Sequence, residues 1–268
     1  MLEIYADTCE NLLAMPVLRG VKTDKEKFAG AEDTYTVECM MHDHKALQSG
    51  TSHYFGDGFA KAFGISFSDK ENKLQAPFET SWGMSTRVIG GLIMTHGDNN
   101  GLVLPPRVVV LPIAQHKPGV VDAAQAVVDR LKAAGIRVKG DFSDNSPGWK
   151  FAEWEMKGVP LRLELGPRDI EAGVCVAARR DNGEKVSLPL ENLEESVRDM
   201  LESVQQGLFD KAKRNLDEHT YTATTVEEVK DIVENRGGGF VKTMWCGEEE
   251  CELKMKELAG VTSRCIPF

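Results

Sequence analysis

The sequence predicts a multidomain protein that combines α+β and α/β architecture. Residues 1–105 are rich in Gly, Ser and Thr and contain short strand-like runs, whereas strand and helix patterns alternate from residue 108 onward. At 268 residues the chain is long enough for two or three domains. The paired prolines within 101–107 favour a linker between the two regions, because proline fits poorly inside helices and central strands.

Composition and charge narrow the functional classes. Hydrophobic residues at 41% and charged residues at 28% are typical of a soluble globular protein. The sequence shows no apolar run long enough to span a membrane and no signal peptide. The net charge of −10 disfavours a protein that coats nucleic acid non-specifically, although a local cluster could still bind RNA. Because the sequence begins with residues that look structured, we expect the chain to be an internal fragment of a longer protein.

Apolar periodicity predicts the elements of the first two regions. Strands alternate apolar and polar residues, whereas helices repeat apolar residues every three or four positions. The elements expected on this basis are strands over 34–40, 87–95, 108–112 and 159–165, a helix over 120–134 that Gly135 caps, a hairpin turning at 181–183, and a long helix from about 191.

The last region combines a helix with a cysteine pair. Thr225 and Glu228 predict a capping box, and the glycines at 237–239 end the helix that follows. A strand near 240–245 precedes the first of the two cysteines. No internal repeat or low-complexity segment is visible.

The most informative stretch is WGMSTRVIGG at 82–91, which HGDN at 96–99 and LPPR at 104–107 follow. Taken alone, Arg87 would be a surface or salt-bridge residue. The glycines at 90 and 91, however, permit close approach of a backbone or a ligand. Such a setting suits a guanidinium held over a nucleotide, where it can stack on a base and contact phosphate oxygens.

These segments resemble motif 3 of the class II aminoacyl-tRNA synthetases in its prolyl version. Further similar segments are KEKFAGA at 25–31, QSGTSHYFG at 48–56, PGWKFAEWE at 147–155 and KGVPLRLELGPRD at 157–169. They occur in family order over essentially the whole chain, and the branch with a C-terminal extension is the most similar. The resemblance implies the rear part of an antiparallel-sheet catalytic domain over 1–105, an α/β anticodon-binding domain over 106–190, and a small, truncated α/β domain of zinc type over 191–268.

The resemblance also implies an ATP site. Arg87 is the implied catalytic residue and would clamp ATP at the adenine face and the terminal phosphate. Ser85 would lie near the ribose, and Gln48 and Thr51 would contact the adenosine part. From the residues alone, Gln48 and Thr51 could instead close a turn.

A proline pocket is implied beside it, formed by His53, Glu38, Trp82 and Gly83. For His53 and Glu38, a purely structural role is the alternative.

The implied reaction has two steps: proline is activated with ATP and Mg²⁺, and the prolyl group passes to tRNA(Pro). Positioning and electrostatic stabilisation supply most of such catalysis. Motifs 1 and 2 of the family, with the α-phosphate arginine and the loop that binds the proline amine, do not occur in this sequence. We therefore expect the isolated chain to lack proline-dependent exchange of pyrophosphate into ATP.

For anticodon binding, the resemblance implies Phe151, Glu155, Arg162, Arg168 and Asp169. An aromatic ring can stack on an unstacked base, and carboxylate and guanidinium groups match the edges of guanine. The alternative is a solvated, charged sheet face.

The six cysteines are Cys9, Cys39, Cys175, Cys246, Cys251 and Cys265. The first three resemble isolated buried thiols. Cys246 and Cys251 have a spacing that suits zinc, so they are either half of a zinc site or plain buried thiols. By resemblance Cys265 is not a ligand.

A cytoplasmic proline–tRNA ligase, homodimeric at full length, is therefore the preferred functional interpretation. Its partners would be tRNA(Pro), proline and ATP, and we expect it to bind neither DNA nor a membrane. A fragment or paralogue that binds tRNA without catalysis is the main alternative, and an enzyme that loads a carrier other than tRNA is a weaker one.

Overall fold

A computed structural model describes residues 1–104 and 107–268 of the chain. Two units can be distinguished: unit 1 comprises Met1–Thr95 and Ala212–Phe268, and unit 2 comprises His96–Lys211. Pro105 and Pro106 of the expected linker lie outside the described residues. The division into three domains stays a prediction.

Helices and strands alternate along the chain, which confirms the mixed α/β character. The helices are α1 (Leu2–Asp7), α2 (Gly58–Phe63), α3 (Arg87–His96), α4 (Val120–Ala133), α5 (Pro147–Met156), α6 (Pro167–Glu171), α7 (Leu193–Glu218), α8 (Val226–Asn235) and α9 (Glu249–Ala259), with a π-helical turn at Thr8–Leu12. The strands are β1 (Val17–Val21), β2 (Asp33–Met40), β3 (Ala46–Gly56), β4 (Phe67–Ser68), β5 (Leu74–Gln75), β6 (Glu79–Gly83), β7 (Val108–Pro112), β8 (Val138–Gly140), β9 (Leu161–Leu165), β10 (Val174–Arg179), β11 (Lys185–Pro189), β12 (Thr220–Thr222), β13 (Phe240–Lys242) and β14 (Ile266–Pro267). Within 1–104 and 107–268, none of the helices combines the length and apolar character of a membrane span.

Unit 1 is built on an antiparallel sheet with the strand order β14-β1-β2-β3-β6. The strand predicted over 34–40 is confirmed as β2. A β-bulge interrupts its pairing with β3: Val37 lies opposite Gly50 and Glu38 opposite Gln48, so Ser49 is the extra residue.

The segment 87–95 is a helix, α3, and the prediction of a strand there was wrong. Its β-branched residues favour a strand, but Val88, Gly91 and Leu92, spaced by three and four residues, are less exposed than Arg87, Ile89, Gly90 and Ile93. This spacing is the period of a helix. A Cβ on Gly91 would lie 2.8 Å from the Leu47 side chain, so a side chain approaches this glycine closely, whereas a Cβ on Gly90 would have nothing within 4 Å. The predicted approach of a backbone or a ligand stays a prediction.

Unit 2 contains a mixed sheet with the strand order β11-β10-β9-β7-β8. β8, β7 and β9 pair in parallel, whereas β9, β10 and β11 pair antiparallel. The predicted strands, the helix α4, and the hairpin with Gly183 at φ 73° are confirmed. In β9 the burial alternates as predicted: Leu161, Leu163 and Leu165 are buried, and Arg162 and Glu164 are partly exposed.

The predicted long helix is α7, and its Leu193, Val197 and Leu201 belong to the core of unit 2. The predicted capping box of α8 is confirmed: the Glu228 amide donates to Thr225 Oγ1 at 3.2 Å, and the Glu228 carboxylate accepts from the Thr225 amide at 3.2 Å. β13 is shorter than the predicted strand and pairs in parallel with β12.

Leu163→Ala should destabilise unit 2 by about 2–5 kcal/mol, because it removes a fully buried side chain from the centre of the sheet and leaves a cavity. Chemical denaturation followed by circular dichroism would measure the loss. Val121→Ala, on the partly exposed side of α4, is the control and should change stability by less than about 0.5 kcal/mol. Equal losses for the two variants would contradict the packing described.

The loop after α3 is held by an ion pair whose stability contribution should depend on pH. Arg180 Nη1 and Nη2 donate to Asp98 at 2.8 and 2.5 Å, and these hydrogen bonds lower the pKa of Asp98 from 3.8 to about 2. A lowered pKa means that the contribution is complete above about pH 4 and is lost as pH falls through 2.

Asp98→Asn should therefore destabilise unit 2 at neutral pH and progressively less below about pH 4. The Asp98 side chain is 43% exposed, so solvent screening limits the loss to about 1 kcal/mol. Denaturation midpoints between about pH 6 and pH 3 would measure the trend, with Asp199→Asn, an exposed carboxylate on α7, as the matched variant. The same pH trend in both variants would rule out this role for Asp98.

Candidate functional site

Four residues that the sequence suggested for one site line a single cavity in unit 1. Gln48 and Thr51 come from β3, Ser85 from the turn that precedes α3, and Arg87 is the first residue of α3. The cavity has a volume of about 320 Å³, and its remaining lining residues are Ser49, Gly50, Gly83 and Met84. Two segments separated by about 35 residues of sequence thus meet at one place.

Strand pairing brings these segments together. Thr51 lies opposite Gly83 at the end of β6, and the chain turns directly from Gly83 into α3. The Ser85 hydroxyl accepts a hydrogen bond from the Arg87 amide at 3.3 Å, which stabilises the first turn. The start of a helix carries unpaired N–H groups and the positive end of the helix dipole. Together with the exposed Arg87 guanidinium, it makes this side of the cavity favourable for an anion.

Residues suggested for the proline pocket lie on the same pair of strands. Gly83 lines the cavity, and its neighbour Trp82 is 54% exposed. His53 lies further along β3, where its Nδ1 is 2.9 Å from Thr34 Oγ1 and its ring centroid is 5.2 Å from that of Phe28. Burial lowers the pKa of His53, so its imidazole is neutral at pH 7.

Glu38 is fully buried, and its carboxylate binds three residues. Lys22 Nζ donates at 2.7 Å, Thr36 Oγ1 at 2.8 Å, and Arg264 at 3.1 Å from Nε and 2.7 Å from Nη2. These contacts favour the structural interpretation, and a place in the proline pocket stays a prediction.

A second cavity, of about 200 Å³, lies in unit 2 and includes two of the residues suggested for anticodon binding, Glu155 and Arg162. The Arg162 guanidinium stacks 4.1 Å from the centre of the Phe151 ring, and Glu164 fixes its orientation through Nε at 3.0 Å. A guanidinium and a carboxylate therefore line this cavity, and the Phe151 ring stacked on Arg162 does not belong to the lining. Its other lining residues are Trp154, Val159, Ala178, Arg179, Arg180, Gly183 and Lys185.

Arg168 and Asp169 lie on α6 and do not belong to this lining. Arg168 is exposed. The Asp169 carboxylate accepts from the Gly166 amide at 2.8 Å, which caps the helix. Their role in anticodon binding stays a prediction.

Three cationic residues of the cavity, Arg179, Arg180 and Lys185, are absent from the sequence-based prediction. Arg179 Nη2 donates to Asp181 at 2.7 Å, and Lys185 Nζ to Glu164 at 3.2 Å. The signal available was the Arg-Arg pair at the end of a predicted hairpin strand. It is weak, because paired arginines are common on solvated surfaces.

Cys9, Cys39 and Cys175 are buried thiols, as the sequence predicted. Cys246 and Cys251 are exposed, so the interpretation of them as buried thiols was wrong. A hydrogen bond between the two lowers the pKa of Cys246 and raises that of Cys251. The described part of the chain contains no group of three or more candidate metal ligands.

Two family models match the chain. The anticodon binding domain matches residues 107–200, and the C-terminal domain of prolyl-tRNA synthetase matches residues 226–268. The cavity around Glu155 and Arg162 lies within the first of these segments.

Relatives with high identity extend the match to the rest of the chain. The proline–tRNA ligases of Lachnospira eligens and Lachnoclostridium phytofermentans are 56% and 57% identical to it over 273 residues. The alignment covers 100% of this chain and 57% of either relative, so the chain spans little more than half of their length.

A solved structure is also similar: prolyl-tRNA synthetase from Cryptosporidium parvum, complexed with L-proline and AMP. It matches with a TM-score of 0.90 and 39% identity, over 99% of this chain and 59% of the other. By sequence along its whole length and by fold, the chain is similar to little more than half of these prolyl-tRNA synthetases.

Proposed function

We propose that this chain supplies the nucleotide site and the anticodon-binding surface of a proline–tRNA ligase, which joins proline to tRNA(Pro) at the expense of ATP. The observation that carries the proposal is the convergence of Gln48, Thr51, Ser85 and Arg87 on one cavity. The family motifs alone suggested these four residues, and the residues also share one cavity whose chemistry suits ATP.

ATP fits the electrostatics of the unit 1 cavity. The Arg87 guanidinium can contact phosphate oxygens and stack on the adenine ring, and the N-terminus of α3 favours negative charge. The amide of Gln48 and the hydroxyls of Thr51 and Ser85 provide donors and acceptors for the base and the ribose.

In the first step the proline carboxylate attacks the α-phosphorus, a C–O–P linkage forms, and the Pα–O bond to pyrophosphate breaks. In the second step a ribose hydroxyl of the tRNA attacks the prolyl carbonyl and displaces AMP. Arg87 contributes by holding the nucleotide and offsetting the phosphate charge.

Proline is proposed to bind beside Gly83, against Trp82, with His53 at the border of the pocket. The lowered pKa of His53 keeps its imidazole uncharged, so it does not repel the protonated amine of proline.

The unit 2 cavity suits the guanines of a proline anticodon. Arg162 can donate to O6 and N7 of one guanine, and Glu155 can accept from N1 and N2. Phe151 is not among the lining residues, and Arg162 covers one face of its ring, so stacking of Phe151 on a base is proposed from the family resemblance alone.

The side chains that line the unit 1 cavity offer amide and hydroxyl oxygens, and the phosphate oxygens of ATP would supply further ligands for Mg²⁺. Mg²⁺ would enter with the phosphates of ATP. Cys246 and Cys251 satisfy half of a four-coordinate structural zinc site, and zinc has no part in the proposed reaction. The cytoplasmic location and the homodimer implied by the family belong to the same proposal.

Arg87→Ala should raise the dissociation constant of ATP for the 268-residue chain by on the order of tenfold, because a charge-assisted phosphate contact is lost. Isothermal titration calorimetry would measure it. Arg236→Ala is the control: it removes an exposed guanidinium that pairs with Asp231 on α8, and ATP affinity should stay unchanged. Equal affinities for the wild-type chain and Arg87→Ala would contradict the clamp.

Arg162→Ala should weaken binding of tRNA(Pro) by on the order of tenfold and change binding of an unrelated tRNA much less, because a base contact is removed. Fluorescence anisotropy with both tRNAs would measure it, with Arg198→Ala on α7 as the control. Equal affinity of the chain for all tRNAs would contradict the proposed recognition of the anticodon. Specific binding of tRNA(Pro) by a chain that binds no ATP would favour the non-catalytic alternative.

A further inference from the structure

The segment just before β14 places an arginine on the most deeply buried carboxylate of unit 1. Arg264 donates to Glu38 Oε2 from Nε at 3.1 Å and from Nη2 at 2.7 Å, and Lys22 donates to Oε1. Lys22 Nζ also donates to the Arg264 carbonyl at 2.7 Å. Glu38 is fully buried and Lys22 is 3% exposed, so the network is shielded from solvent on the Glu38 side.

A second polar cluster holds this segment in place. Glu252 of α9 is buried, and its carboxylate accepts from Thr23 Oγ1 at 3.0 Å and from the Ser263 hydroxyl. At Gly20, a Cβ would lie 2.5 Å from the Ile266 carbonyl oxygen, so a larger residue would prevent β14 from approaching β1. Contacts of the residues before and after Arg264 in the sequence therefore hold it in position.

Glu38 links this network to the nucleotide cavity. It lies opposite Gln48 at the β-bulge, and Val37 lies opposite Gly50. The Thr36 hydroxyl, which donates to Glu38, also lies 3.5 Å from the Gly50 carbonyl oxygen, and Thr36 itself is opposite Thr51. On β2, Thr36, Val37 and Glu38 thus pair with Thr51, Gly50 and Gln48 of β3. These three β3 residues form one wall of the cavity.

A β-bulge has fewer ladder hydrogen bonds than a regular strand pair, so its geometry depends on the contacts around it. We propose that Arg264 is a positioning residue of the nucleotide site: it fixes the Glu38 carboxylate and, through it, the β2–β3 bulge that presents Gln48, Gly50 and Thr51 to the cavity. The functional part of this inference rests on the proposed function, because it takes the cavity as the ATP site. The structural part, the order of the bulge, does not.

The test compares Arg264→Met, which keeps the length of the side chain and removes its charge, with Arg264→Lys and with the control Arg236→Met just after α8. Hydrogen exchange by mass spectrometry would follow segment 46–52, which contains the bulge, and segments 220–222 and 240–242, which form β12 and β13. AMP binding to the 268-residue chain would be measured in parallel.

We expect exchange in segment 46–52 to accelerate by on the order of tenfold in Arg264→Met, with little change in β12 and β13. The AMP dissociation constant should rise several-fold, Arg264→Lys should recover part of both effects, and Arg236→Met should show neither.

Unchanged exchange in 46–52, or equal acceleration in β12 and β13, would overturn the proposal, since Arg264 would then act only on general stability. Failure of both Arg264 variants to fold would overturn it in the same way. If the wild-type chain binds no AMP, the proposed function fails, and the exchange of segment 46–52 alone decides whether Arg264 orders the bulge.

Discussion

Burial of one carboxylate, that of Glu38, is the constraint on which unit 1 depends. A carboxylate removed from water is tolerated only where charged groups and hydrogen-bond donors replace its hydration. Thr36 lies on β2 beside Glu38, Lys22 follows β1, and Arg264 precedes β14, so one carboxylate on β2 links the end of β1 to a segment 226 residues away. Because Glu38 lies opposite Gln48 at the bulge, the constraint extends to one wall of the unit 1 cavity.

In unit 2 the cations of the second cavity are each held by a carboxylate. Glu164 orients Arg162, Asp181 orients Arg179, and Asp98 orients Arg180. Such pairing offsets positive charge and fixes the orientation of the guanidinium groups. Under the proposed function, Arg162 would then meet base edges in a preset geometry. Selectivity would then come from geometry, which is consistent with a chain of net charge −10.

The elements predicted correctly from the sequence are those whose determinants lie close together in the chain. The alternation in β9, the hairpin at Gly183 and the capping box of Thr225 and Glu228 each depend on residues within a few positions of one another. The strand predicted at 87–95 failed because β-branched residues suggest a strand, whereas burial against β3 selects the helical period. The four residues that line the unit 1 cavity were suggested by the family motifs and not by composition.

What the sequence could not reveal are partners separated by long stretches of chain. Asp98 and Arg180 are 82 residues apart, and Glu38 and Arg264 are 226 apart, so no local pattern pairs them.

The ion pairs of Glu38 also bear on its two interpretations, as a residue of the proline pocket or as a structural residue. To bind a ligand directly, its carboxylate would have to release Lys22 or Arg264, and a buried cation without its counter-charge is costly. We therefore expect Glu38 to influence the site through the backbone of the β2–β3 bulge, with its carboxylate still bound to the two cations.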